Sequence, residues 1–181
     1  MIVIETPRLI LRHLTWNDLD NLAALYADPQ VMRFLGSTRT DEDTKQQLDG
    51  ILDSYKKHGF GLWATIHKAD NQFIGRCGLI ALEIDDQPEI EIGYALHQRY
   101  WGQGLATEAA RAIRDYGCLE LGYNRLISLV DHDNIASQKV AMKNGLTYEK
   151  NITKWDKNLR VYVIYKTDLL THDSKKAKDE L

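Results

Sequence analysis

The sequence has little cysteine and no long apolar segment. Its two cysteines, Cys77 and Cys118, form no Cys-x-x-Cys motif, and no histidines or cysteines stand at the spacing of metal ligands. We therefore expect no metal, no disulfide framework and a reducing compartment. No apolar run approaches the roughly twenty residues of a membrane span, and the first residues lack the charged and apolar regions of a signal peptide. These absences predict a cytoplasmic protein with no membrane partner.

An excess of one charge is also absent, because the formal net charge of the 181 residues is −3. No basic stripe or interleaving of basic and aromatic residues occurs, so nucleic acid is not expected as a partner. The length fits one domain, which we place at residues 1–170. Residues 171–181 are rich in Lys and Asp and predict a disordered charged tail. The last four residues match an endoplasmic-reticulum retrieval signal, which we interpret as a coincidence because nothing directs the chain into the secretory pathway.

Residues 89–107 predict a strand, a glycine turn and the first turn of a helix. From residue 89 to 96, apolar side chains alternate with Glu89, Glu91 and two small residues, as in a strand with one buried face. From Leu105 onward, apolar residues recur at three- and four-residue steps, as on one face of a helix. Gly102 and Gly104 lie at the junction. Unpaired N–H groups and the positive end of the helix dipole make such a junction suited to phosphate.

The glycine turn has two further interpretations. Gly102 and Gly104 could serve chain reversal alone, with no ligand. The turn could also belong to a dinucleotide-binding fingerprint, Gly-x-Gly-x-x-Gly, but Thr107 occupies the third glycine position. A nicotinamide-dependent oxidoreductase is therefore disfavoured.

Three motifs resemble one enzyme family. The segment Arg99-x-x-Gly102-x-Gly104 is similar to the Gln/Arg-x-x-Gly-x-Gly/Ala signature of the GNAT (Gcn5-related) N-acetyltransferases. Its continuation resembles the branch that contains the RimJ- and RimL-type ribosomal-protein N-terminal acetyltransferases, as do Glu5–Arg12 and Asp133–Leu146. The motifs occur in the expected order and cover roughly residues 5 to 170.

Sequence and resemblance together predict the fold. The residue patterns predict an α+β domain with mainly antiparallel strands and one parallel β-α-β crossover between residues 89 and 130. Val3–Arg12 predicts the first strand, and Tyr148–Trp155 with Arg160–Lys166 the last hairpin. The GNAT resemblance implies a mixed sheet of six or seven strands with helices on both faces. It also implies that the central strand and its parallel neighbour separate at their carboxyl ends, with the pantetheine arm of acetyl-CoA between them.

The resemblance implies acetyl-CoA as the acyl donor and indicates which residues would hold it. The candidate cofactor-binding residues are Leu96, Arg99, Gly102, Gln103, Gly104, Leu105, Ala106, Thr107 and Asn134. Asn134 also suits a purely structural role, because asparagine is a favourable residue at the start of a helix.

Acetyl transfer to an amine needs a base, a donor to the thioester oxygen and an acid for the departing thiolate. Glu91 is favoured over Glu89 as the base, although both could be solvated strand residues. The resemblance implies that a backbone N–H within residues 94–96, freed by a bulge, binds the thioester oxygen. Many family members have a tyrosine where this sequence has Ala141, so Ser137 is the substitute acid that we favour. Ser137 too could serve only as a first-turn residue of its helix.

The sequence thus predicts an acetyl-CoA-dependent N-acetyltransferase that transfers the acetyl group directly to a primary amine. A protein N-terminal α-amine is the acceptor that the resemblance suggests, and a small-molecule amine is the alternative. A non-catalytic acyl-CoA-binding sensor or regulatory module is a second hypothesis, which Ala141 keeps open. The chain could act as a monomer or as a homodimer.

Overall fold

A computed structural model describes residues 1–169, and the predicted tail of residues 171–181 lies outside them. The strands are β1 (Ile2–Glu5), β2 (Leu9–His13), β3 (Leu62–His67), β4 (Gln72–Ile84), β5 (Gln87–Leu96), β6 (Arg125–Asp131), β7 (Thr147–Lys154) and β8 (Lys157–Tyr165). The helices are α1 (Leu19–Ala27), α2 (Pro29–Met32), α3 (Asp41–His58), α4 (Leu105–Asp115) and α5 (Ile135–Lys143), with a π-helical extension of α4 at Tyr116–Glu120.

The strands form one mixed sheet in the order β1-β2-β3-β4-β5-β6-β8-β7. Only β5 and β6 are parallel among the described strands, and α4 connects them, so the predicted α+β class and central crossover are confirmed. The expected number of six or seven strands is wrong, because the described residues contain eight. The segment Val3–Arg12 does not form one strand. It reverses direction where the Thr6 N–H donates to the Leu9 carbonyl at 2.9 Å, and β1 pairs antiparallel with β2.

Helices cover both faces of the sheet, as the resemblance implied. Neighbouring residues of a strand point to opposite faces, and β5 shows the consequence. Ile92 packs in a core with Ile113 of α4, whereas Ala95 packs in a second core with Leu22 of α1 and Leu48 of α3. We call these two sides the α4 face and the α1 face. They matter because the candidate catalytic groups divide between them.

Residues at both ends of helix α3 determine where it begins and ends. The Thr40 hydroxyl accepts a bond from the Asp43 N–H at 3.2 Å, and the Asp43 carboxylate accepts one from the Thr40 N–H at 3.0 Å. Gly59 ends the helix with a φ of +77°, which glycine adopts without strain. Helix α3 therefore has two capped ends and packs against the α1 face of the sheet.

The hairpin between β7 and β8 is tighter than its sequence predicts. We expected a four-residue turn at Asp156–Leu159, but only Trp155 and Asp156 form it, with φ values of +52° and +57°. Trp155 is 63% exposed and therefore not a core residue. Close to this turn, the Lys157 Nζ donates to the Phe34 carbonyl at 2.9 Å. The hairpin therefore reaches the segment that follows α2.

Residues 1–169 include no helix with the length and apolar content needed to cross a membrane. In the same range, no group of three or more His, Cys, Asp or Glu side chains is arranged to hold a metal ion. Cys77 and Cys118 are both buried, and burial raises the pKa of the Cys77 thiol to about 11. Neither thiol is therefore suited to act as a nucleophile at neutral pH.

Candidate active site

The parallel strands β5 and β6 separate after a single pair of residues, Glu91 and Ile127. Just beyond this pair, the Ser128 hydroxyl donates a 2.8 Å hydrogen bond to the Ile92 carbonyl. Strand β5 then continues to Leu96 while still paired with β4. From residue 93 to 96, the edge of β5 that faces β6 is therefore open. We call this opening the β5–β6 gap, and it corresponds to the separation that the resemblance implied.

No bulge creates the open edge, because the pairing of β4 with β5 runs through residues 94–96 without a register shift. The edge is open because β6 turns away. Backbone groups of an antiparallel strand point alternately to its two sides. Since Ile92 faces β6, Tyr94 and Leu96 face it too, and the Leu96 carbonyl accepts a 2.7 Å bond from Trp101 Nε1. The N–H groups of Tyr94 and Leu96 therefore point into the gap.

The glycine turn has the geometry of an anion-binding loop. Gly102 and Gly104 have φ values of +74° and +77°, in the left-handed region that favours glycine. A Cβ at Gly102 would meet no atom within 4 Å, so the backbone angle rather than crowding requires glycine there. Helix α4 begins at Leu105, so the N–H groups of Leu105, Ala106 and Thr107 have no partner one turn earlier in the helix. The turn fits a pyrophosphate.

Two further candidate cofactor residues lie on the exposed side of this turn. Arg99 is exposed, with its guanidinium carbon 4.7 Å from the centroid of the Tyr100 ring. The Gln103 side chain donates to the Arg99 carbonyl at 3.0 Å. The structure thus brings the candidates of residues 96–107 around one turn, whereas Asn134 lies elsewhere, at the start of α5.

A hydrogen-bond network that our sequence interpretation missed connects the glycine turn and α4 to residues 6–8. One Glu108 carboxylate oxygen accepts bonds from the Thr6 hydroxyl at 2.6 Å and the Arg8 N–H at 2.9 Å, and the other accepts one from Arg8 Nε at 2.6 Å. Arg8 Nη1 also donates to the Gln103 carbonyl at 2.8 Å. The polar residues of two family motifs thus contact each other. Thr6 and Arg8 belong to the motif Glu5–Arg12, and Glu108 belongs to the continuation of the glycine motif. The presence of these polar residues within motifs could have indicated that they contact each other.

A cavity of about 570 Å³ lies beside the turn and is bordered by Gly104 and Thr107. Its lining includes three cationic side chains, those of Arg8, Arg111 and Lys143, and three carboxylates, those of Glu5, Glu108 and Asp115. The formal charges of the lining therefore balance. The case for phosphate binding rests on the glycine turn and the amino end of α4 rather than on an excess of positive charge.

Glu91 lies at the point where β5 and β6 separate, on the α1 face. It is half-buried, and its Oε1 accepts only a long 3.4 Å bond from the Leu129 N–H. Burial raises the pKa of Glu91 to about 7, although the Leu129 N–H and the charge of Arg76 oppose the increase. A carboxylate with this pKa is a suitable general base near neutral pH.

Glu89, the other glutamate on this strand face, has a structural role. Its carboxylate accepts bonds from Arg125 Nε at 3.0 and 3.1 Å, and Arg125 also binds Glu149 at 2.8 Å. Because this guanidinium holds Glu89, the carboxylate is not free to take a proton from a substrate. The geometry therefore favours Glu91 over Glu89, as proposed from the sequence.

Ser137 lies on the α4 face, in the first turn of α5. Its Oγ is 2.7 Å from the Tyr94 hydroxyl, and its N–H donates to Asn134 Oδ1 at 3.1 Å. Asn134 thus caps α5 through its side chain. Burial raises the pKa of the Tyr94 phenol above its usual value, so Tyr94 keeps its proton at neutral pH. Our sequence interpretation assigned Tyr94 only to the core, but a buried tyrosine hydroxyl usually has a hydrogen-bond partner.

These observations point to one family. The acetyltransferase (GNAT) domain model matches residues 8–147. The chain belongs to the GNAT acetyltransferases. It is therefore an N-acetyltransferase of a family that uses acetyl-CoA, which favours the enzyme over the sensor hypothesis and acetyl-CoA over a nicotinamide cofactor.

Other GNAT proteins resemble the chain over most of its length. The uncharacterized protein YkkB of Bacillus subtilis is 37% identical over 88% of this chain and 93% of its own. The spermidine N(1)-acetyltransferase of Escherichia coli is 29% identical over 77% of this chain and 73% of its own. Of these two names, only that of the Escherichia coli relative states an activity.

Solved structures share the fold. An acetyltransferase from Agrobacterium tumefaciens has a TM-score of 0.79 at 26% identity, covering 90% of this chain and 93% of that one. RimL, a ribosomal L7/L12 α-N-protein acetyltransferase solved in complex with coenzyme A, has a TM-score of 0.78 at 19% identity, covering 91% and 98%. At that identity the likeness to RimL shows the fold alone.

Proposed function

We propose that this GNAT enzyme transfers an acetyl group from acetyl-CoA directly to a primary amine, with base and acid on opposite faces of the sheet. One observation carries the proposal: Glu91 lies on the α1 face and Ser137 on the α4 face, on either side of the β5–β6 gap. Amine attack on the thioester carbonyl gives a tetrahedral intermediate, from which the thiolate then leaves. The amine nitrogen and the sulfur are different atoms of that intermediate, so a base and an acid at separate positions can each serve one of them.

Glu91 accepts the proton of the attacking amine, directly or through a water molecule. Its pKa of about 7 means that the carboxylate form predominates above neutral pH. A protein α-amine has an ordinary pKa of roughly 7.7–8.0, against about 10.4 for lysine, and so needs little help to lose its proton. Glu91 therefore suits an α-amine or another primary amine whose proton is weakly held.

The thioester oxygen is bound by backbone N–H groups at the open edge of β5, those of Tyr94 and Leu96. They point into the gap without a strand partner, so they are already oriented for a developing negative charge. Ser137 then donates its hydroxyl proton to the departing sulfur and regains a proton from solvent, while Glu91 releases the amine proton to solvent. Tyr94 is a positioning residue, because its hydroxyl lies 2.7 Å from Ser137 Oγ and 3.2 Å from the Ser137 carbonyl oxygen. We propose that the phenol donates to Oγ during the reaction, which leaves the serine proton free to point into the gap.

Acetyl-CoA supplies an activated acetyl group as a thioester. The glycine turn and the N–H groups of Leu105, Ala106 and Thr107 hold the pyrophosphate, with Arg99 and Gln103 at its exposed side. Asn134 contributes through the α5 cap that places Ser137. Both cysteines are buried, which supports direct transfer rather than an acetyl-cysteine intermediate.

The test is acetyl-CoA-dependent thiol release with a panel of amines. Purified protein would be incubated with peptides bearing free N-termini, polyamines and aminoglycosides, and calorimetry would follow acetyl-CoA binding in parallel. We expect binding and amine-dependent release with at least one class. Binding without release from any amine would support a sensor, and absence of binding would contradict the proposed role of the glycine turn.

A further inference from the structure

Two arginines on the α1 face share one aromatic ring and lack a carboxylate partner. Arg76 of β4 is only 7% exposed, and its Nε donates to the Tyr26 hydroxyl at 3.2 Å. Arg39 is half-buried, with its guanidinium carbon 4.6 Å from the Tyr26 ring centroid and its Nη1 bonded to the neutral side chain of Gln47. Within residues 1–169, no carboxylate oxygen lies within 4.0 Å of either guanidinium.

Three other partly buried arginines are neutralised, because Arg12, Arg114 and Arg125 each pair with a carboxylate at 2.6 to 3.0 Å. Half-buried Arg160 instead donates to the neutral side chain of Gln138 at 3.1 Å. A buried cation without a counter-ion is costly, and a second cation beside it adds repulsion. Burial is the largest effect and lowers the pKa of Arg39, and the charge of Arg76 lowers it further, whereas Tyr26 and the Asp43 carboxylate oppose the decrease. Asp43 acts only from beyond 4.0 Å, so the pair is positioned to gain from an anion in direct contact.

Solvent reaches this pair. The Nη atoms of Arg76 have no hydrogen-bond partner within the described part of the chain, yet they are not among its fully buried unpaired atoms. They therefore keep some contact with solvent, although Arg76 as a whole is buried. The segment that carries Arg39 is held in place, because the Arg39 N–H donates to the Tyr26 carbonyl at 3.1 Å.

The arginine pair lies on the same face as the candidate base. Arg76 pairs with Ala95 across the β4–β5 ladder, and Ile80 pairs with Glu91 four residues along, so the side chains of Arg76 and Glu91 share the α1 face. Four residues of strand span roughly 13 Å, a distance that the lengths of both side chains reduce. The charge of Arg76 acts on Glu91 across this distance.

We propose that Arg39 and Arg76 bind an anionic group, a carboxylate or a phosphate, on the amine acceptor of this enzyme. The acceptor would present its amine to Glu91 and its anion to the two guanidinium groups, which favour oxygen anions geometrically. The inference rests on the proposed function, because it takes Glu91 as the place of the amine. It adds a substrate class: amines that carry a negative charge a few bonds from the nitrogen.

Matched acceptors test the preference. We would compare 2-aminoethyl phosphate with ethanolamine and 4-aminobutyrate with butylamine, which separates phosphate from carboxylate. The wild-type enzyme should use at least one anionic member with a kcat/KM about ten-fold or more above its neutral partner. Arg76→Met and Arg39→Met should each reduce that ratio to near one. Arg33→Met is the control, because Arg33 is exposed and its loss should leave the ratio unchanged. Equal use of both members, or a ratio that survives both substitutions, would overturn the proposal.

Direct binding separates this inference from the proposed function. Phosphate and 2-aminoethyl phosphate would be titrated calorimetrically into protein saturated with coenzyme A, which requires no turnover. We expect binding to the wild type and at least ten-fold weaker binding to Arg76→Met. Failure of acetyl transfer with intact anion binding would contradict only the proposed function. Absence of anion binding to the wild type would contradict this inference.

Thermal unfolding shows whether a loss of anion binding in Arg76→Met comes from the missing guanidinium or from a disturbed fold. With coenzyme A at saturation, so that the glycine turn is occupied, phosphate should raise the melting temperature of the wild type and of Arg33→Met, but not that of Arg39→Met or Arg76→Met. Without phosphate, Arg76→Met should melt no lower than the wild type, because the substitution removes an unpaired buried charge. A marked loss of stability without phosphate would mean that Arg76 serves the core instead.

Discussion

The proposed cofactor side and the proposed acceptor side of this enzyme differ in how their charges are paired. Around the glycine turn, Arg8 and Glu108 are joined by two bonds of 2.6 and 2.9 Å, one of them an ion pair. On the α1 face, Glu91 has a raised pKa, and Arg39 and Arg76 lack carboxylate partners within residues 1–169. A network of paired charges holds the backbone in one conformation. An unpaired carboxylate such as Glu91 can instead take up a proton, and an unpaired arginine can bind an anion, when a substrate binds. The cofactor side is thus built for position and the acceptor side for chemistry.

Substitution of Glu91 should have the largest effect on activity, because it removes the carboxylate that we propose accepts the proton of the amine. We expect Glu91→Gln to lower kcat/KM by about 100-fold or more at pH 8, the usual magnitude for loss of a general base. In the wild type, kcat/KM should rise with pH through about 7, following ionisation of Glu91. The variant should lack that rise. Initial rates of thiol release from pH 5 to 9 measure both.

Glu89→Gln is the matched control on the same strand face. It disturbs the ion pair with Arg125 but leaves the candidate base in place. The pH dependence near 7 should therefore persist in this variant. If Glu89→Gln abolished it and Glu91→Gln did not, the two roles would be reversed.

The same Glu91→Gln substitution should stabilise the fold at alkaline pH. Glu91 has a pKa of about 7 when folded, against 4.5 normally, so between these values the folded state binds more protons than the unfolded state. Its contribution to stability is therefore lost as pH rises from 4.5 to 7. At pH 8 the variant should be more stable by up to about 3 kcal/mol, and at pH 4 equally stable. Urea unfolding at both values measures the difference, and a variant less stable at pH 8 would contradict the raised pKa.

The sequence predicted the cofactor side better than the acceptor side because the cofactor side is local. Gly102, Gly104 and the start of α4 are neighbours in the chain, and their angles follow from residue type. The strand containing Glu91 was likewise visible from its alternation. Each of these features needs only a short window of sequence.

Other features depend on contacts between distant segments. Tyr94 and Ser137 are 43 residues apart, and Arg76 and Tyr26 are 50 apart. No local pattern shows that such side chains meet, and Tyr94 has the spacing of a core residue. The prediction of a bulge was wrong for the same reason. The edge of β5 is open because β6 turns away from it, and the sequence of β5 does not show where β6 runs.

Substitutions of Ser137 and Tyr94 test whether side chains on the α4 face take part in acetyl transfer. Ser137→Ala should lower kcat by about 10- to 100-fold by removing the acid, with the KM for acetyl-CoA little changed. Tyr94→Phe should lower kcat by a smaller factor, since the tyrosine only positions the serine. The double variant should be no slower than Ser137→Ala, because a positioning residue has no effect once its target is gone. Multiplying effects would mean that Tyr94 acts independently.

The smallest effect should come from the network behind the glycine turn, and it should fall on binding alone. Arg8→Met removes the bond to the Gln103 carbonyl and the ion pair with Glu108, so the turn loses its fixed orientation. Because a bond to a charged group contributes roughly 1.5–3 kcal/mol and Arg8 is partly exposed, we expect about ten-fold weaker acetyl-CoA binding with kcat nearly unchanged. Calorimetric titration against Lys56→Met, which removes only an exposed ion pair with Asp53, measures it. A fall in kcat at unchanged affinity would show that the two sides are coupled rather than separate.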